Sequence, residues 1–307
     1  MINILVLGGT GFIGDNIIKK AVTLNWNVYS LSKNLTSSIK LNEKVIYIKC
    51  DINNYEEIKK CLSKFKFHYI INCLGYVDHS NFQNNGYEVI NSHFNSIVNL
   101  IHIIDKSLLK KFITLGSSDE YKENIIPINE NSFIENRSCY AFAKNSLREF
   151  LQMLNITEDF PCLILRIFLT YGPGQNKQRF IPQIIDGCLN NLKFPVSPGE
   201  QIRDFCFIDD IVEAIFLSLF SDYKNADIFN LASGVPVMIK DVVYKICNII
   251  GKGDPQFGKI QYRQSENMIL YADINKSNIQ LNWSPRINLD EGLRLTINNS
   301  IKNFNVR

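Results

Sequence analysis

A tyrosine and a lysine four residues apart have the residue types needed for proton transfer. Tyr140 begins the sequence Tyr-Ala-Phe-Ala-Lys, which ends at Lys144, and this spacing places both side chains on one face of a helix. A nearby ammonium favours the ionised phenol, so it lowers the pKa of a tyrosine from about 10 towards the range of a working general acid or base. Because such pairs also arise by chance, a second observation is needed before they predict catalysis.

Two serines provide that second observation. Ser117 and Ser118 follow the apolar run 112–115, which is typical of a buried strand. Ligand sites in open parallel sheets lie at the carboxyl ends of the strands. Serines at this edge therefore favour a catalytic role for Tyr140, and Lys144 could also bind a nicotinamide ribose there.

A glycine-rich turn near the start of the chain is typical of dinucleotide binding. Gly8, Gly11 and Gly14 form a GxxGxxG pattern between the apolar run 2–7 and an amphipathic segment at 13–24. One glycine permits the sharp turn, another lets backbone N–H groups approach a pyrophosphate at the positive end of the helix, and the third allows close packing of helix on sheet. We therefore expect the cofactor to contact Gly8, Thr10, Gly11, Phe12, Ile13 and Gly14.

Residues after the second and third predicted strands bear on which dinucleotide binds. NAD users normally carry an acid at the end of the second strand, whereas this chain has Ser32 and Lys33. Lys33 could neutralise the 2′-phosphate of NADP, so NAD and NADP are nearly equal expectations, with NAD placed first. The carboxylate of Asp51 could accept a hydrogen bond from the adenine amino group, or it could cap the helix that begins near Tyr55.

The elements that must position these residues follow a regular alternation. Short β-branched and aliphatic runs alternate with segments of helical spacing as far as about residue 170. This alternation predicts an α/β fold of Rossmann type, a doubly wound parallel sheet with helices on both faces. The predicted strands are 2–7, 27–31, 45–49, 69–73, 112–115 and 163–168. The predicted helices are 13–24, 55–64, 90–104 and 140–154.

The chain changes character after the Gly-Pro-Gly sequence at 172–174, where elements become shorter and proline and glycine more frequent. We expect residues 1–170 to form a dinucleotide-binding domain and residues 171–307 to form a smaller C-terminal substrate-binding domain. The two domains are expected to be interleaved, with segments near 203–235 returning to the first.

Composition excludes several classes of protein. The 307 residues carry 33 basic and 30 acidic side chains, a net charge of +3, so nothing favours nucleic acid or a membrane surface as a partner. No apolar run approaches the ~20 residues of a membrane span, and the first apolar run is too short for an export signal. The eight cysteines include no CxxC pair, so we expect reduced thiols, no metal site and a cytoplasmic protein.

Taken in order, these motifs resemble those of the extended short-chain dehydrogenase/reductase family, the NAD-dependent epimerases and dehydratases of nucleotide-activated sugars. The resemblance covers nearly the whole chain. Ser117 stands four residues before Tyr121, where this family places its catalytic serine or threonine. Further matches are Leu165-Arg166, Tyr171-Gly172-Pro173, Arg203-Asp204-Phe205, Asp209-Asp210, Phe229-Asn230-Leu231-Ala232 and Trp283-Ser284-Pro285.

The resemblance implies a mechanism. Tyr140 takes the proton of a sugar hydroxyl as a hydride moves from the same carbon to C4 of the nicotinamide, Ser117 hydrogen-bonds that oxygen, and Lys144 holds the tyrosinate and the ribose. Reduction of a keto sugar is the reverse reaction. The resemblance also implies cofactor contacts at Ile52, Leu74 and Gly75, and substrate contacts at His79, Ser118, Asp119, Phe180, Arg203 and Arg263.

Several of these substrate contacts have a structural alternative. Arg203 and Arg263 match the diphosphate-binding arginines of the family, but either could form a surface salt bridge instead. Phe180 could stack on the nucleotide base or belong to the core of the second domain. His79 follows the fourth predicted strand, where it could be a second acid or base or a solvated loop histidine.

Departures from the family pattern narrow the reaction. Dehydratases of this family carry an acidic pair directly after the catalytic hydroxyl, whereas this chain has Ser118 and Asp119, which argues against 4,6-dehydration. Leu169 replaces an asparagine that usually touches the substrate diphosphate. His93 replaces an asparagine in the helix after the fourth strand, and Lys122 replaces a glycine.

We therefore expect a NAD(P)-dependent oxidoreductase that transfers a hydride to or from C4 of a nucleotide-diphosphate sugar. It would be a 4-dehydrogenase or a 4-keto-sugar reductase in the synthesis of surface-polysaccharide precursors. A nucleotide-sugar 4-epimerase is the alternative, followed by a 4,6-dehydratase and a non-catalytic dinucleotide-binding regulator. The resemblance also implies a homodimer formed through helices 90–104 and 140–154.

Overall fold

The structure, a computed structural model, describes residues 1–35, 42–122, 126–223, 225–262 and 266–304. The chain divides into two compact units. The first comprises Met1–Lys122, Phe133–Arg166 and Val212–Phe229, and the second comprises Glu123–Ser132, Ile167–Ile211 and Asn230–Arg307.

Strands and helices alternate along the chain. The strands are β1 (Asn3–Leu7), β2 (Asn27–Ser32), β3 (Val45–Lys49), β4 (Tyr69–Asn72), β5 (Lys111–Ser117), β6 (Cys162–Ile167), β7 (Leu169–Tyr171), β8 (Lys193–Pro195), β9 (Ile202–Phe207), β10 (Asn225–Leu231), β11 (Pro236–Met238), β12 (Asp254–Gln256) and β13 (Ile269–Leu270). The helices are α1 (Phe12–Thr23), α2 (Tyr55–Leu62), α3 (Tyr87–Ile90), α4 (Ser96–Ile103), α5 (Cys139–Glu158), α6 (Phe180–Leu189), α7 (Ile208–Phe220), α8 (Ile239–Ile250), α9 (Asn275–Gln280) and α10 (Leu289–Phe304).

A seven-stranded sheet runs through the first unit, in the order β10-β6-β5-β4-β1-β2-β3. The pairs from β3 to β5 are parallel. Because strand order reverses at β1, the carboxyl ends of β1 and β4 flank a topological switch point, where open α/β sheets bind ligands. The observed sheet confirms the predicted Rossmann-type fold, and each predicted strand ends within two residues of the observed one.

Burial of both faces explains why the strands read as nearly continuous apolar runs. Leu5 and Leu7 on β1, Ile70 on β4 and Phe112 on β5 are buried in one cluster with apolar side chains of α2, α4 and α5. This core fixes where the strands end. It therefore fixes the sheet edge that carries the glycine turn and the predicted catalytic residues.

The helix predicted at 90–104 is part of a longer and interrupted helical run. Two π-helical turns, Phe82–Gly86 and Asn91–Asn95, alternate with α3 and α4. Within the first turn, Asn85 has a φ of 82°, which breaks the regular helix. Since a π turn adds a residue, the 3.6-residue period no longer indicates which side chains face inwards.

The second unit contains small sheets together with helices. Strand β9 pairs with β7, β11 and β13, and β8 pairs with β12. The buried carboxylate of Asp204 on β9 accepts hydrogen bonds from the N–H groups of Ser233, Gly234 and Ala272. Burial raises the pKa of Asp204, while these hydrogen bonds act in the opposite direction. The acid of the Arg-Asp-Phe motif thus holds loops of this unit together.

A second acid has a similar structural role in the same unit. The carboxylate of Asp210 accepts the N–H groups of Arg286 and Ile287, each at 3.0 Å. Its carbonyl accepts a hydrogen bond from the indole N–H of Trp283 at 2.9 Å. The Asp-Asp and Trp-Ser-Pro matches of the sequence therefore meet in one network.

Two negative findings apply to the ranges given above. No helix there has the length and apolar character to cross a bilayer. In those same residues, no three His, Cys, Asp or Glu side chains are grouped as ligands for a metal ion.

Candidate active site

Tyr140 and Lys144 lie in the first two turns of α5. Ser138 caps this helix, because its hydroxyl accepts the N–H of Ala141 at 3.1 Å. The Lys144 Nζ lies 5.9 Å from the centre of the Tyr140 ring, and it donates a hydrogen bond to the carbonyl of Leu115 on β5 at 2.8 Å. Both Tyr140 and Lys144 are buried. The structure thus brings the two side chains together, as their spacing predicts.

Burial also tunes the lysine. It lowers the pKa of Lys144 to about 8, while the nearby carboxylate of Glu120 opposes that shift. The group therefore still carries a proton at neutral pH. A buried ammonium beside a phenol stabilises the tyrosinate that a general base requires.

Lys144→Met is expected to change how stability depends on pH. Between a folded pKa of about 8 and the ordinary value of 10.5, the unfolded chain holds a proton at Lys144 that the folded protein has released. The free energy of unfolding should therefore rise with pH across this window, by an amount on the order of 3 kcal/mol from this residue. Urea denaturation of the apoprotein at about pH 7 and about pH 10 measures the rise. If the free energy of unfolding rose as much in Lys144→Met as in the wild type, the lowered pKa of a buried Lys144 would be contradicted.

Ser117 ends β5 and caps a 3₁₀ turn, Ser118–Glu120. Its hydroxyl accepts the N–H of Asp119 at 3.1 Å, and its own N–H donates to the Glu120 Oε1 at 2.8 Å, which together form a capping box. Lys144 binds the carbonyl two residues before Ser117, so α5 is tied to the strand end that carries the serine. The helix that carries Tyr140 and Lys144 is therefore anchored to the strand whose carboxyl end carries Ser117.

A buried ion pair that sequence reasoning missed anchors this turn. The Glu120 Oε2 accepts a hydrogen bond from the Arg166 Nε on β6 at 2.9 Å, and neither side chain is exposed. Although burial opposes it, the Glu120 carboxylate raises the pKa of Arg166, so the guanidinium stays charged. The available signal was a lone arginine in the apolar strand sequence Leu-Ile-Leu-Arg-Ile, because a buried charge needs a partner.

His93 fills the space on one side of Tyr140. The two rings meet edge to face with centres 5.0 Å apart, and His93 Nε2 lies 3.1 Å from the carbonyl oxygen of Tyr76. Burial, reinforced by the charge of Lys144, lowers the pKa of His93 to about 3, so this imidazole is neutral. Gly75 has a φ of +106°, and a Cβ there would lie 1.7 Å from the His93 ring. Gly75, expected at the cofactor, therefore also makes room for this histidine.

His79 also contacts the Tyr140 ring. Its ring centre is 6.0 Å from that of Tyr140, edge to face. Its Nε2 is 2.9 Å from the Asp119 Oδ2, and each side chain of this pair is 32% exposed. His79 is therefore neither distant from Tyr140, the predicted catalytic residue, nor fully solvated. Ser118, beside Asp119, is buried.

The glycine turn has the geometry that the sequence predicts. Gly8 has a φ of +73°, and a Cβ at Gly14 would lie 2.4 Å from the Gly8 carbonyl oxygen. The N–H of Gly11 donates to that same carbonyl at 2.9 Å. Helix α1 then begins at Phe12, which is followed by Ile13, and no side chain caps it. Its first N–H groups are therefore suited to bind an anion.

The acid and the lysine after the next strands form a pair with each other. Lys33 Nζ and the Asp51 Oδ2 are 2.8 Å apart. Burial acts in the opposite direction, but the hydrogen bond from Lys33 keeps the pKa of Asp51 below its ordinary value. Asn54, whose side chain accepts the N–H of Glu57, is the cap of α2. The alternative that Asp51 caps this helix is therefore wrong, and the charge of Lys33 is already balanced.

The remaining cofactor contacts expected from the sequence lie close to the turn or in the core beneath it. The Thr10 hydroxyl donates to the Ser32 hydroxyl oxygen at 3.0 Å. Ile52 is buried in the core cluster of the first unit, and Leu74 packs against that cluster. Leu74 is held further by its N–H, which donates to the Asn72 Oδ1 at 3.1 Å.

Substrate contacts expected in the second unit have protein partners there. The guanidinium of Arg203 on β9 pairs with the carboxylate of Glu266, so a diphosphate at Arg203 would share it with that acid. Phe180 begins α6, and its ring centre lies 6.1 Å from that of Phe205. Arg263, the other expected diphosphate ligand, lies outside the described residues.

Comparison with known proteins identifies the family of this chain. A model of the NAD dependent epimerase/dehydratase family matches residues 4–232. The chain belongs to this family. It is therefore an enzyme of a NAD-dependent family, and the resemblance predicted from the motifs is confirmed. The balanced Lys33 charge agrees with NAD, which was placed first, rather than NADP.

Relatives that match nearly the whole chain have names for different reactions. A putative UDP-glucose 4-epimerase of Methanocaldococcus jannaschii is 29% identical, over 96% of this chain and 97% of the relative. The CDP-abequose synthase of Salmonella typhimurium is 26% identical, over 94% of this chain and 95% of the relative. A solved UDP-glucose 4-epimerase of Thermotoga maritima superposes with a TM-score of 0.88 at 23% identity, over 99% of this chain and 100% of that one, which shows a shared fold.

Proposed function

We propose that this protein is a NAD-dependent oxidoreductase that transfers a hydride to or from C4 of a nucleotide-activated sugar. It would act as a 4-dehydrogenase or as a reductase of a 4-keto sugar, in the synthesis of surface-polysaccharide precursors. The observation that carries the proposal is the buried group of Tyr140, Lys144 and Ser117 at the carboxyl edge of the sheet. Relatives named for UDP-glucose, CDP-abequose and dTDP-glucose support a nucleotide sugar as the substrate.

The first unit fits a dinucleotide at the same edge. The N–H groups at the start of α1 have no side-chain cap and suit a pyrophosphate. Gly14 lets the helix pack closely on the turn, because a Cβ there would clash with Gly8. Asp51 is placed after β3, where its carboxylate suits the adenosine end of NAD, and Lys144 suits the nicotinamide ribose. When bound, NAD supplies the hydride acceptor or donor.

Residues of the chain transfer the proton that accompanies the hydride. During oxidation Tyr140, as tyrosinate stabilised by the Lys144 ammonium, takes the proton of the C4 hydroxyl, and during reduction the phenol returns it. The Ser117 hydroxyl oxygen accepts the Asp119 N–H, which leaves its own proton to donate to the substrate oxygen. Because Tyr140 and Lys144 are buried, these interactions act at low dielectric, where they are strongest.

Asp51→Ala is expected to shift cofactor preference towards NADP. Removal of the carboxylate leaves the Lys33 ammonium, now 2.8 Å from it, to pair with a 2′-phosphate instead. We expect the ratio of NADP to NAD affinity to increase about tenfold, which corresponds to roughly 1.4 kcal/mol. Isothermal titration with each dinucleotide measures the ratio. Asp105→Ala, which removes the partner of Lys66 elsewhere on the first unit, is the matched control and should leave the ratio unchanged; an unchanged ratio in Asp51→Ala would contradict the assignment.

A 4-epimerase is the second candidate, because the Methanocaldococcus relative and the Thermotoga structure carry that name. Both functions use the same catalytic group. They differ in whether the hydride returns to the other face of the same sugar. With UDP-, dTDP-, CDP- and GDP-sugars, we expect net formation or consumption of NADH, which is measured by the absorbance of NADH. An inverted C4 by NMR with no net change in NADH would favour the epimerase instead.

Two other reactions receive less support from the site. Dehydration needs an acid and a base after the catalytic hydroxyl, but Ser118 is not an acid and Asp119 is bonded to His79. A regulator that only bound NAD would not need a buried tyrosine, lysine and serine together.

We also propose that the protein is a homodimer formed through α5 and the helical run that contains α3 and α4. Both elements expose apolar side chains, among them Tyr87 on α3 and Phe142, Met153 and Ile156 on α5. Light scattering after size exclusion is expected to give twice the mass of one chain. A monomer at micromolar concentration would contradict the dimer.

A further inference from the structure

Two cysteine side chains meet in the second unit, at a place that the proposed reaction does not use. Cys188 lies on α6 and Cys247 lies on α8, and both belong to the second unit. Their sulfur atoms are 3.4 Å apart, although the two residues are 59 positions apart in the sequence. Both are free thiols. The fold therefore brings together two oxidisable groups that no local spacing connects.

Close packing holds the Cys188 sulfur in place. Cys188 has no exposed surface, at 0%. A Cβ at Gly253 would lie 2.6 Å from the Cys188 Sγ, and a Cβ at Gly187 would lie 2.5 Å from the Phe194 ring, so there is no room for a further side chain on either side. The Cys188 sulfur is thus shielded from solvent and held beside the sulfur of Cys247.

Cys247 differs from Cys188 in its exposure, because it is partly accessible to solvent. Burial raises the pKa of the Cys188 thiol, and the contact with Cys247 acts in the same direction, so Cys188 keeps its proton at neutral pH. The thiolate is the reactive form of cysteine, and its reactions require access. An oxidant in solution therefore meets Cys247 first, while Cys188 is held within reach of the product.

The separation of the two sulfurs suits a bond between them. An S–S bond is about 2.0 Å long, so sulfurs that are 3.4 Å apart need to approach by about 1.4 Å. Rotation about the Cα–Cβ bond moves a sulfur while its helix stays in place. We infer that Cys188 and Cys247 are a reversible thiol–disulfide pair, which joins α6 to α8 when the protein meets a hydroperoxide.

The reaction balances with hydrogen peroxide as the only co-reactant. The Cys247 thiolate attacks one peroxide oxygen, the O–O bond breaks, and the leaving oxygen takes a proton to form water, so that Cys247 becomes a sulfenic acid. The Cys188 sulfur then attacks the Cys247 sulfur. The S–S bond forms, the S–O bond breaks, and the hydroxide leaves as water with the proton of Cys188. Both cysteines are oxidised and the peroxide is reduced to water, and a dithiol reverses the disulfide by exchange.

The disulfide has a physical consequence for the chain. It closes a loop that runs from α6 through β9 and α7 to α8, and Arg203, an expected substrate contact, lies on β9 within that loop. A cross-link lowers the entropy of the unfolded chain and so favours the folded state. Oxidation should therefore raise the urea concentration at the midpoint of unfolding.

Peptide mapping tests the pair directly. The whole chain is treated with a small excess of hydrogen peroxide, the remaining thiols are alkylated, and the protein is digested without reduction. We expect mass spectrometry to find the Cys188 peptide joined to the Cys247 peptide, and a dithiol should separate the two. Absence of this cross-link, or Cys247 joined instead to a second copy of the chain, would overturn the inference.

Single substitutions separate the roles of the two thiols. In Cys188→Ala the sulfenic acid of Cys247 has no neighbouring thiol, so its adduct with dimedone should increase severalfold over the wild type. In Cys247→Ala the buried Cys188 should remain a free thiol. Cys61→Ala, at a partly exposed cysteine on α2, is the matched control and should keep the cross-link. Oxidation of Cys188 in Cys247→Ala to the same extent as in the wild type would contradict these roles.

Urea denaturation of the wild-type protein gives a second measurement, which stands even if a variant folds poorly. The midpoint is expected to rise after treatment with peroxide and to return after treatment with a dithiol. In Cys188→Ala the same treatment should produce no rise. An unchanged midpoint in wild-type protein whose peptides carry the cross-link would contradict the proposed joining of α6 to α8 in the folded state.

Discussion

Tyr140→Phe is expected to lower kcat for hydride transfer by 10²-fold or more. The substitution removes one oxygen atom and retains the ring that contacts His79 and His93 edge to face, so the fold and cofactor binding should change little. What is lost is the group that takes or returns the proton at the sugar oxygen, a contribution of 10²–10⁴ in typical general acid–base catalysis. Single-turnover reduction of a keto sugar by NADH measures the effect.

A matched control separates the chemistry from the loss of a hydroxyl in general. Tyr244→Phe removes the same atom from an exposed tyrosine on α8, and it should retain wild-type turnover. If Tyr140 transfers the proton, kcat falls in Tyr140→Phe while NAD affinity stays within about twofold, since the interaction is made in the transition state. Full turnover in Tyr140→Phe would remove the tyrosine from the mechanism.

Glu120→Gln is expected to cost the folded protein about 3–5 kcal/mol, which is the usual penalty for removing one partner of a buried ion pair. Glutamine has nearly the same shape and can still accept the N–H of Ser117. However, it leaves the Arg166 guanidinium charged and buried without its carboxylate. The guanidinium also lies over the Tyr121 ring, 4.5 Å from its centre, but an aromatic ring does not neutralise the buried charge as the Glu120 carboxylate does. Urea denaturation gives the difference in free energy of unfolding.

Glu135→Gln is the control for this substitution. Its carboxylate pairs with Arg137 at 2.5 Å, but both side chains are about one-third exposed, Glu135 at 38% and Arg137 at 34%. Exposed pairs contribute only about 0–1 kcal/mol, so the loss should be small. A loss of less than about 1 kcal/mol in Glu120→Gln would show that the buried pair is not what holds the turn carrying Ser117.

Local signals in the sequence predicted the parts of the site that depend on short spacing. The glycine turn depends on residues 8–14, and the pairing of Tyr140 with Lys144 depends on one helical turn. Strand ends were predicted within two residues because apolar runs buried on both faces have clear limits. The sheet edge then followed from the alternation of strands and helices.

Local spacing could not predict contacts between residues that are far apart in the sequence. Glu120 and Arg166 are 46 residues apart, and His79 and Asp119 are 40 apart, so no local period connects them. The π-helical turn that carries His93 shifts the side-chain pattern away from the helical period, which hid its contact with Tyr140. Lys33 illustrates the same limit. Taken alone, this lysine favours NADP, but its ion pair with Asp51 favours NAD.

The most direct test of the account is the path of the hydride. NADH deuterated at C4 of the nicotinamide is mixed with the protein and 4-keto sugars linked to UDP, dTDP, CDP or GDP, and the products are examined by mass spectrometry and NMR. Hydride transfer to C4 is expected to leave one deuterium at C4 of one of these sugars, and the transfer should be lost in Tyr140→Phe. Absence of label at C4 of every sugar, from a protein that binds NADH, would contradict it.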